Sequence, residues 1–317
     1  MTTIDLSVPP PPADGLLDSL PRRVTLTLPE LRLAAELAGG APLPFEEVAL
    51  EAGASGPSGL SGRLGATPAS SEAQALRAVL DRLPDPHTSL ARRGLLVGDD
   101  LDPGVAGAVG LLATPRVAVD VDVAVAAPTG RTRVRAWHRQ GRRAVAALAT
   151  ADGVVFELAW FPTAAWSDEL ARVAVLPEDL PLRESLVPTW VELPYALADG
   201  AGEAAAEQRH DLLGVLAAEH AGEVRDRDGR AFGDIEAAHL LQALSSEAHG
   251  RLRVLVADVG RRSRADVVGV RSWVLVNDGW RALHPVGAVD DEPRLRVERR
   301  DASELAADLA PVLAEVD

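Results

Sequence analysis

The sequence contains no cysteine, which excludes disulfide bridges, thiolate metal ligands and cysteine nucleophiles. It contains no lysine either, so all 32 basic residues are arginine, and 47 acidic residues outnumber them. The resulting net charge of −15 repels phosphate backbones and therefore disfavours nucleic-acid binding. No apolar run reaches the roughly 18 residues that a membrane-spanning helix needs. We therefore expect a soluble protein of the cytoplasm without membrane insertion.

The N-terminal residues lack the features of a secretory signal. The stretch MTTIDLSVPPPPADG has neither a basic start nor an apolar segment. Its proline content predicts instead a flexible leader over residues 1–22. Since 47% of the residues are hydrophobic, the chain can form one large domain or two medium ones.

Two passages of the chain repeat an unusual hairpin pattern. VRAWHRQGRRAV begins at Val134, and VRSWVLVNDGWRAL begins at Val270, 136 residues later (270 − 134). In the alternating stretches before them, Val119 and Val254 are 135 residues apart (254 − 119). Such near-constant offsets indicate an internal duplication. The second hairpin has two more residues between its Trp and its Gly, which predicts one extra residue in each strand arm.

Alternation of apolar and polar residues predicts a sheet in each half. In VAVDVDVAV, which starts at Val117, the valines share one face while Asp120 and Asp122 point to the other. Short glycine turns then join the strands, which requires antiparallel pairing. We predict an α+β fold with a quasi-two-fold internal duplication, in which antiparallel β-sheet meanders are flanked by N- and C-terminal helical bundles. The two halves, residues 23–187 and 188–317, together form one unit.

No pattern of residues predicts an active site. The seven histidines form no HExxH motif or other metal-ligand spacing, so we expect no metal, no cofactor and no enzyme. Gly104, Gly107 and Gly110 precede a strand, the reverse of the dinucleotide-binding order, and close helix packing accounts for them better. Asp120 and Asp122 could serve a hydrolase, but the solvated face of a strand is the simpler interpretation.

Each repeated hairpin places an arginine and a tryptophan on the same strand face. The pairs are Arg135 with Trp137 and Arg271 with Trp273. Such pairs brace sheet faces and also occur in protein interfaces. We interpret them as structural.

Four stretches of the chain form a recognisable series. They are VTLTLPELRLAAELAG, then SLARRGLLVGDD, then the meander that begins PRVAVDVDVAV, and finally RLRVLVADVG…GVRSWVLVNDGWRALHPV before a terminal helix. Over residues 24–316 this series resembles the EspG family of type VII (ESX) secretion-associated proteins. The lysine-free, arginine-rich composition is typical of a GC-rich genome, and the loop after the first long strand is shorter than in mycobacterial members. We therefore expect an actinobacterial source outside the mycobacteria.

The resemblance implies a cytosolic chaperone without catalytic, cofactor-binding or metal-binding residues. Such a protein binds helical PE/PPE-like substrates or other helical ESX substrates, keeps them soluble and directs them to the secretion machinery. It also implies that the loop at about residues 126–131 and the helical bundle at about residues 202–249 contribute to the binding face. The candidate partner-binding residues on these segments are Pro128, Thr129, Arg131, His210, Leu213, His220 and Leu240.

Two alternatives to the chaperone remain open from the sequence. The first is an α+β hydrolase-like enzyme that uses Asp and His side chains, which a deep pocket gathering these groups would favour. The second is a self-associating structural scaffold, with a homodimer as its simplest form, which a flat exposed apolar patch would favour.

Overall fold

The structure describes five ranges of the chain. The computed structural model describes residues 22–45, 76–127, 130–260, 266–289 and 292–316. The predicted leader lies outside these residues except for Arg22, which is the first residue of a strand. None of the helices in these ranges is long and apolar enough to cross a membrane.

The helices and strands occur in alternating blocks. The α-helices are α1 (Leu28–Leu37), α2 (Pro86–Arg92), α3 (Pro103–Ala113), α4 (Trp166–Ala174), α5 (Tyr195–Ala206), α6 (Leu213–Glu219), α7 (Asp234–Ser246) and α8 (Leu305–Leu313). The strands are β1 (Arg22–Thr27), β2 (Leu96–Val97), β3 (Asp100–Leu101), β4 (Val117–Ala127), β5 (Gly130–Gln140), β6 (Ala144–Thr150), β7 (Val155–Pro162), β8 (Trp190–Pro194), β9 (Gly250–Asp258), β10 (Asp266–Val276), β11 (Gly279–Val289) and β12 (Glu292–Arg300).

Ten of these strands form one antiparallel sheet. Their order is β1-β7-β6-β5-β4-β9-β10-β11-β12-β8, while β2 and β3 pair separately. If β1 is matched to β8, and β4 to β7 are matched to β9 to β12, the order is the same when read from either edge. The series of strand, helices, four-stranded meander and helix thus occurs twice along the chain. The predicted α+β fold with antiparallel meanders is confirmed.

The chain divides into two compact units, neither of which is continuous in sequence. Unit 1 contains the residues up to Asp120 together with Val134–Trp166 and Ala257–Asp266. Unit 2 contains Val121–Arg133, Ser167–Val256 and the residues from Val267 onward. The division into sequence halves at residues 187 and 188 stays a prediction.

In unit 1, helix α1 begins at a capping box. The side chain of Thr27 accepts from the backbone N–H of Glu30, and the Glu30 carboxylate accepts from the N–H of Thr27 at 2.8 Å. Glu30 is only 3% exposed, and its carboxylate also accepts a hydrogen bond from Nη1 of Arg93 at 3.3 Å. These contacts satisfy backbone donors that the first turn of a helix leaves free. They fix the start of α1 directly after β1.

Helix α3 packs closely against a tryptophan of β7. A methyl group added at Gly104 would lie 2.7 Å from Cζ2 of Trp160, which is 1% exposed. At Gly110 the same methyl group would meet no atom within 4 Å. Close packing therefore explains the first of the helix glycines but not Gly110.

The core of unit 2 combines three helices with strands of the sheet. Buried apolar residues of α5, α6 and α7 form one cluster with residues of β8, β10 and β12. They include Leu197, Leu213 and Leu240 from the helices, and Val191, Val276 and Val297 from the strands.

The first strands of the two repeated hairpins both have 11 residues, and the hairpins differ in the turn and in the second strand, which has 7 residues in β6 and 11 in β11. Strand β5 ends at Gln140 and β10 ends at Val276, each three residues after its tryptophan (140 − 137 and 276 − 273). The two additional residues of the second hairpin belong to its turn, and Gly279, with φ of 129°, is already the first residue of β11. The prediction of one extra residue per strand arm is therefore wrong.

The two tryptophans of the hairpins are buried, Trp137 at 5% and Trp273 at 1% exposure. The guanidinium of Arg135 lies 5.7 Å from the ring centroid of Trp137. Arg271 instead donates Nε to the backbone carbonyl of Asp308 at 3.2 Å. Both tryptophans are core residues, and the arginines beside them differ in their contacts.

Candidate functional site

An open groove follows helix α7 in unit 2. Its walls are one face of α7, the turn at residues 226–233, and the segment that contains Leu186 and Pro188. The groove has a volume of about 1100 Å³. We call it the α7 groove. Helix α7 starts here after Gly233, and its first turn contains two acidic residues, which interact favourably with the positive end of the helix dipole.

The α7 groove presents large apolar side chains to solvent. Leu186 is 81% exposed and Ile235 is 75% exposed, and both line the groove. Phe232, Leu240 and Ala243 also line the groove and are buried to 7% exposure or less. Large apolar side chains exposed next to a concave, partly apolar surface are typical of interaction sites.

The rim of the groove is charged and net acidic. It contains the carboxylates of Asp226, Asp234 and Glu236, with Arg230 as its one guanidinium. Arg230 donates two hydrogen bonds to Glu236, at 2.8 and 3.0 Å, and one to Asp226 at 3.0 Å. Its guanidinium also lies 5.0 Å from the ring centroid of Phe232. The arginine therefore joins the turn at residues 226–233 to the first turn of α7.

The ion pairs with Arg230 favour the charged form of two rim carboxylates, Asp226 and Glu236. The hydrogen bonds from Arg230 hold the pKa of Glu236 below its usual value. Desolvation raises the pKa of Asp226, but hydrogen bonds from the backbone and side chain of Arg230 outweigh it and lower the pKa. At neutral pH the three carboxylates therefore outnumber the one guanidinium of the groove.

A second, smaller pocket in unit 2 lies beside the end of β4. Its volume is about 200 Å³, and its lining includes Ala126, Leu182 and His249. Leu182 is 55% exposed, and Nε2 of His249 lies 2.6 Å from the Asn277 side-chain oxygen. The pocket therefore includes a residue of β4, Ala126, that belongs to the segment at about residues 126–131, and the partner-binding role that the family resemblance implies for this segment stays a prediction.

The predicted partner-binding residues fall in different environments. Pro128 and Thr129 lie outside the described residues, and Arg131 is exposed in β5. Their role stays a prediction.

Of the four predicted residues in the helical bundle, two have solvent-exposed surface and two are buried. His210 is exposed, and His220 is half-buried with Nδ1 3.1 Å from Glu223. Leu213 is 2% exposed and Leu240 is 3% exposed, so both belong to the core of unit 2. Leu240 is the one member of the predicted set that also lines the α7 groove. Leu186, Phe232 and Ile235, the other large apolar residues that line the groove, are missing from the predicted residues.

The aspartates considered for a hydrolase each face an arginine. Asp120 accepts from Nη1 of Arg139 at 2.6 Å, and Asp122 accepts from Arg133 through Nε at 3.0 Å. Across the residues with described side chains, no group of three or more His, Asp and Glu residues gathers into a metal-ligand arrangement. The ion pairs explain both aspartates as parts of a strand face.

Comparison with known proteins finds a likeness among solved structures. Neither a protein-family model nor a curated protein matches the chain. Among solved structures, the chain is similar to the type VII secretion system chaperone EspG5 of Mycobacterium tuberculosis, determined in complex with a PE25–PPE41 dimer. The TM-score is 0.58 at 14% sequence identity, over 93% of this chain and 97% of that one. The chain has an EspG-like fold.

Proposed function

We propose that this protein is a cytoplasmic chaperone of type VII secretion. It binds helical PE/PPE-like substrate proteins, keeps them soluble and directs them to the secretion machinery. The observation that carries the proposal is the likeness to a type VII secretion chaperone over 93% of this chain and 97% of the other. A likeness of this extent includes the sheet and the helical bundle, and not only a shared substructure.

The α7 groove supports the proposal because it suits the end of a helical protein. A helix or helical tip can insert apolar side chains between Leu186 and Ile235, above the buried Phe232. Fully burying one such side chain stabilises a complex by about 1.5–3 kcal/mol. The charged rim then surrounds an apolar centre, which is the usual arrangement of a protein interface.

The small pocket beside β4 supports a second contact with the same partner. Leu182 is exposed there, and Ala126 of β4 lines the same pocket. An extended substrate can contact both surfaces, and two separate contacts select a partner by shape as well as by apolar character.

Co-expression tests the proposal directly. The chain is produced together with each pair of PE/PPE-like proteins encoded in the same genome, and the soluble fraction is purified through a tag on this chain. We expect one pair to co-purify at a fixed stoichiometry and to be more soluble than when it is expressed alone. The proposal is wrong if no helical secretion substrate binds and none becomes more soluble.

A further inference from the structure

The most exposed apolar side chain of the groove lies on a firmly held backbone. Leu186 is 81% exposed, while Val187 after it is 2% exposed and part of the core. Leu186 precedes β8 in a segment without regular secondary structure. We call residues 185–188 the strap. The polar contacts of the strap explain how it is held without a helix or a sheet.

A buried glutamate holds the first part of the strap. Glu247, which follows α7, is 6% exposed. Its Oε1 accepts from the backbone N–H of Leu186 at 2.9 Å, and its Oε2 accepts from the Ser185 hydroxyl at 2.5 Å. The same hydroxyl oxygen accepts from the N–H of Val187 at 3.0 Å. Both backbone donors that flank the exposed side chain are therefore satisfied.

A buried arginine holds the second part of the strap. Arg281 of β11 is 0% exposed. It donates Nη2 to the carbonyl of Val187 at 3.0 Å and Nε to the carbonyl of Pro188 at 3.1 Å. Asp278 balances its charge, with an oxygen 2.8 Å from Nη2. Burial lowers the pKa of Arg281, and the nearby carboxylate of Asp278 offsets part of this effect.

This arrangement does more than connect α4 to β8. Burying a carboxylate and a guanidinium has a large desolvation cost, and here both charges are directed at the backbone of one short segment. The segment they hold presents a leucine to solvent at the edge of an apolar groove. A segment whose backbone is held before binding loses less conformational entropy when a partner arrives.

The charge of the rim indicates the chemistry of the partner. Three carboxylates and one guanidinium line the groove, and the whole chain has a net charge of −15. A partner segment with basic side chains next to its apolar residues is attracted to this rim, whereas an acidic segment is repelled.

We propose that the strap is a preformed anchor, in which Glu247 and Arg281 position Leu186 to contact an apolar segment of the secretion substrate that is flanked by basic residues. This inference rests on the proposed function for the identity of the partner. Leu186 makes the contact, and Ser185, Glu247 and Arg281 are positioning residues that act through it.

A double-mutant cycle tests whether the strap acts through Leu186. The probe is the PE/PPE-like pair that co-purifies with the wild-type chain, and its affinity is measured by calorimetry. We expect Leu186→Ala to weaken binding roughly tenfold or more. Ser185→Ala should weaken binding roughly fivefold in the wild-type chain but less than twofold when Leu186 is already alanine. Ser185→Thr, which keeps the hydroxyl, should restore binding. Equal losses from Ser185→Ala in both backgrounds would overturn the positioning role.

Hydrogen exchange tests the strap without any partner. The amides of Leu186 and Val187 should exchange at least roughly 100-fold more slowly than in an unstructured chain, and Ser185→Ala should speed their exchange while the melting temperature changes little. Fast exchange in the wild-type chain would overturn the preformed anchor even if a partner binds. If the strap is protected but no substrate pair binds, the proposed function fails and the assigned partner fails with it, while the rigid strap stands.

Salt dependence and self-association test the assigned partner. Raising the salt concentration from about 50 to 300 mM should weaken the complex, chiefly through slower association, and Asp234→Asn should reduce this dependence. A complex insensitive to salt would contradict the basic flank. Analytical sedimentation of the chain alone tests whether a second copy of the chain occupies the groove instead. A homodimer that Leu186→Ala dissociates would assign the anchor to self-association instead of substrate binding.

Discussion

The indole N–H of Trp166 donates to Nδ1 of His138 across 3.2 Å, and both side chains are buried in unit 1. Since Nδ1 accepts this hydrogen bond, the neutral ring carries its proton on Nε2. Burial, and secondarily the positive charge of Arg139, lower the pKa of His138 to about 3. The imidazole therefore stays neutral in the folded protein at neutral and mildly acidic pH.

The buried histidine predicts a loss of stability in acid. Between pH 6.5, the ordinary pKa of histidine, and about pH 3, the unfolded chain binds a proton at this residue that the folded chain does not bind. The free energy of unfolding must then fall as the pH falls, by about 1.4 kcal/mol per pH unit for this group. Urea unfolding at pH 7 and pH 5 of the wild type and of His138→Asn measures the effect. At pH 5 the wild type should have lost about 2 kcal/mol more than the variant. Equal losses in the two proteins would contradict the buried, neutral histidine.

Asp308 of α8 connects three elements of unit 2. Its carboxylate accepts from the indole of Trp273 at 2.9 Å and from Nε of Arg300 at 3.2 Å, and Nε2 of His284 lies 3.5 Å away. Asp308→Asn removes the charge and leaves one of these donors without an acceptor. We expect the free energy of unfolding to fall by about 2 kcal/mol in urea titrations.

A surface ion pair provides the control for Asp308. Asp211 pairs with Arg209 at 2.9 Å, and both side chains are more than half exposed. Asp211→Asn should leave stability nearly unchanged, because exposed ion pairs contribute little. If both variants are equally stable, Asp308 does not fix α8 to the sheet.

Two glycines of α3 should respond in opposite ways to the same change. Gly104→Ala places a methyl group 2.7 Å from the buried ring of Trp160, so it should destabilise the fold by about 1–3 kcal/mol. In Gly110→Ala the added methyl group meets no atom within 4 Å, so the higher helix propensity of alanine should stabilise the same helix by up to about 1 kcal/mol. Thermal unfolding of the two variants distinguishes these effects. A stabilising Gly104→Ala would show that α3 does not pack on Trp160 as described.

The sequence predicts the sheet well because its signals are local. Alternating valines from Val117 and the short turns that follow determine antiparallel meanders, and tertiary contacts do not change that outcome. The turn of the second hairpin is mispredicted for a physical reason. A count of residues between Trp273 and Gly279 cannot tell a longer strand from a turn in which the glycine moves into the strand.

The candidate site is harder to predict because exposure depends on the surrounding structure. Leu213 and Leu240 follow the apolar pattern of their helices and pack in the core. Ile235 lies in the same helix as Leu240, yet it is 75% exposed, since no element within the described ranges covers it. Leu186 lies in a stretch without periodicity, and its rigid presentation depends on Glu247 and Arg281, which are distant in sequence.

The most direct test of substrate binding at the α7 groove is to substitute a residue of the groove and measure the affinity for the substrate. Ile235→Ser removes an apolar side chain that is 75% exposed in the groove, and Val97→Ser removes one that is 74% exposed, belongs to unit 1 and does not line the groove. Calorimetry with the co-purifying PE/PPE-like pair should show roughly 10- to 100-fold weaker binding for Ile235→Ser and no change for Val97→Ser. Unchanged affinity for Ile235→Ser, or equal losses for both variants, would contradict a chaperone that binds its substrate through the α7 groove.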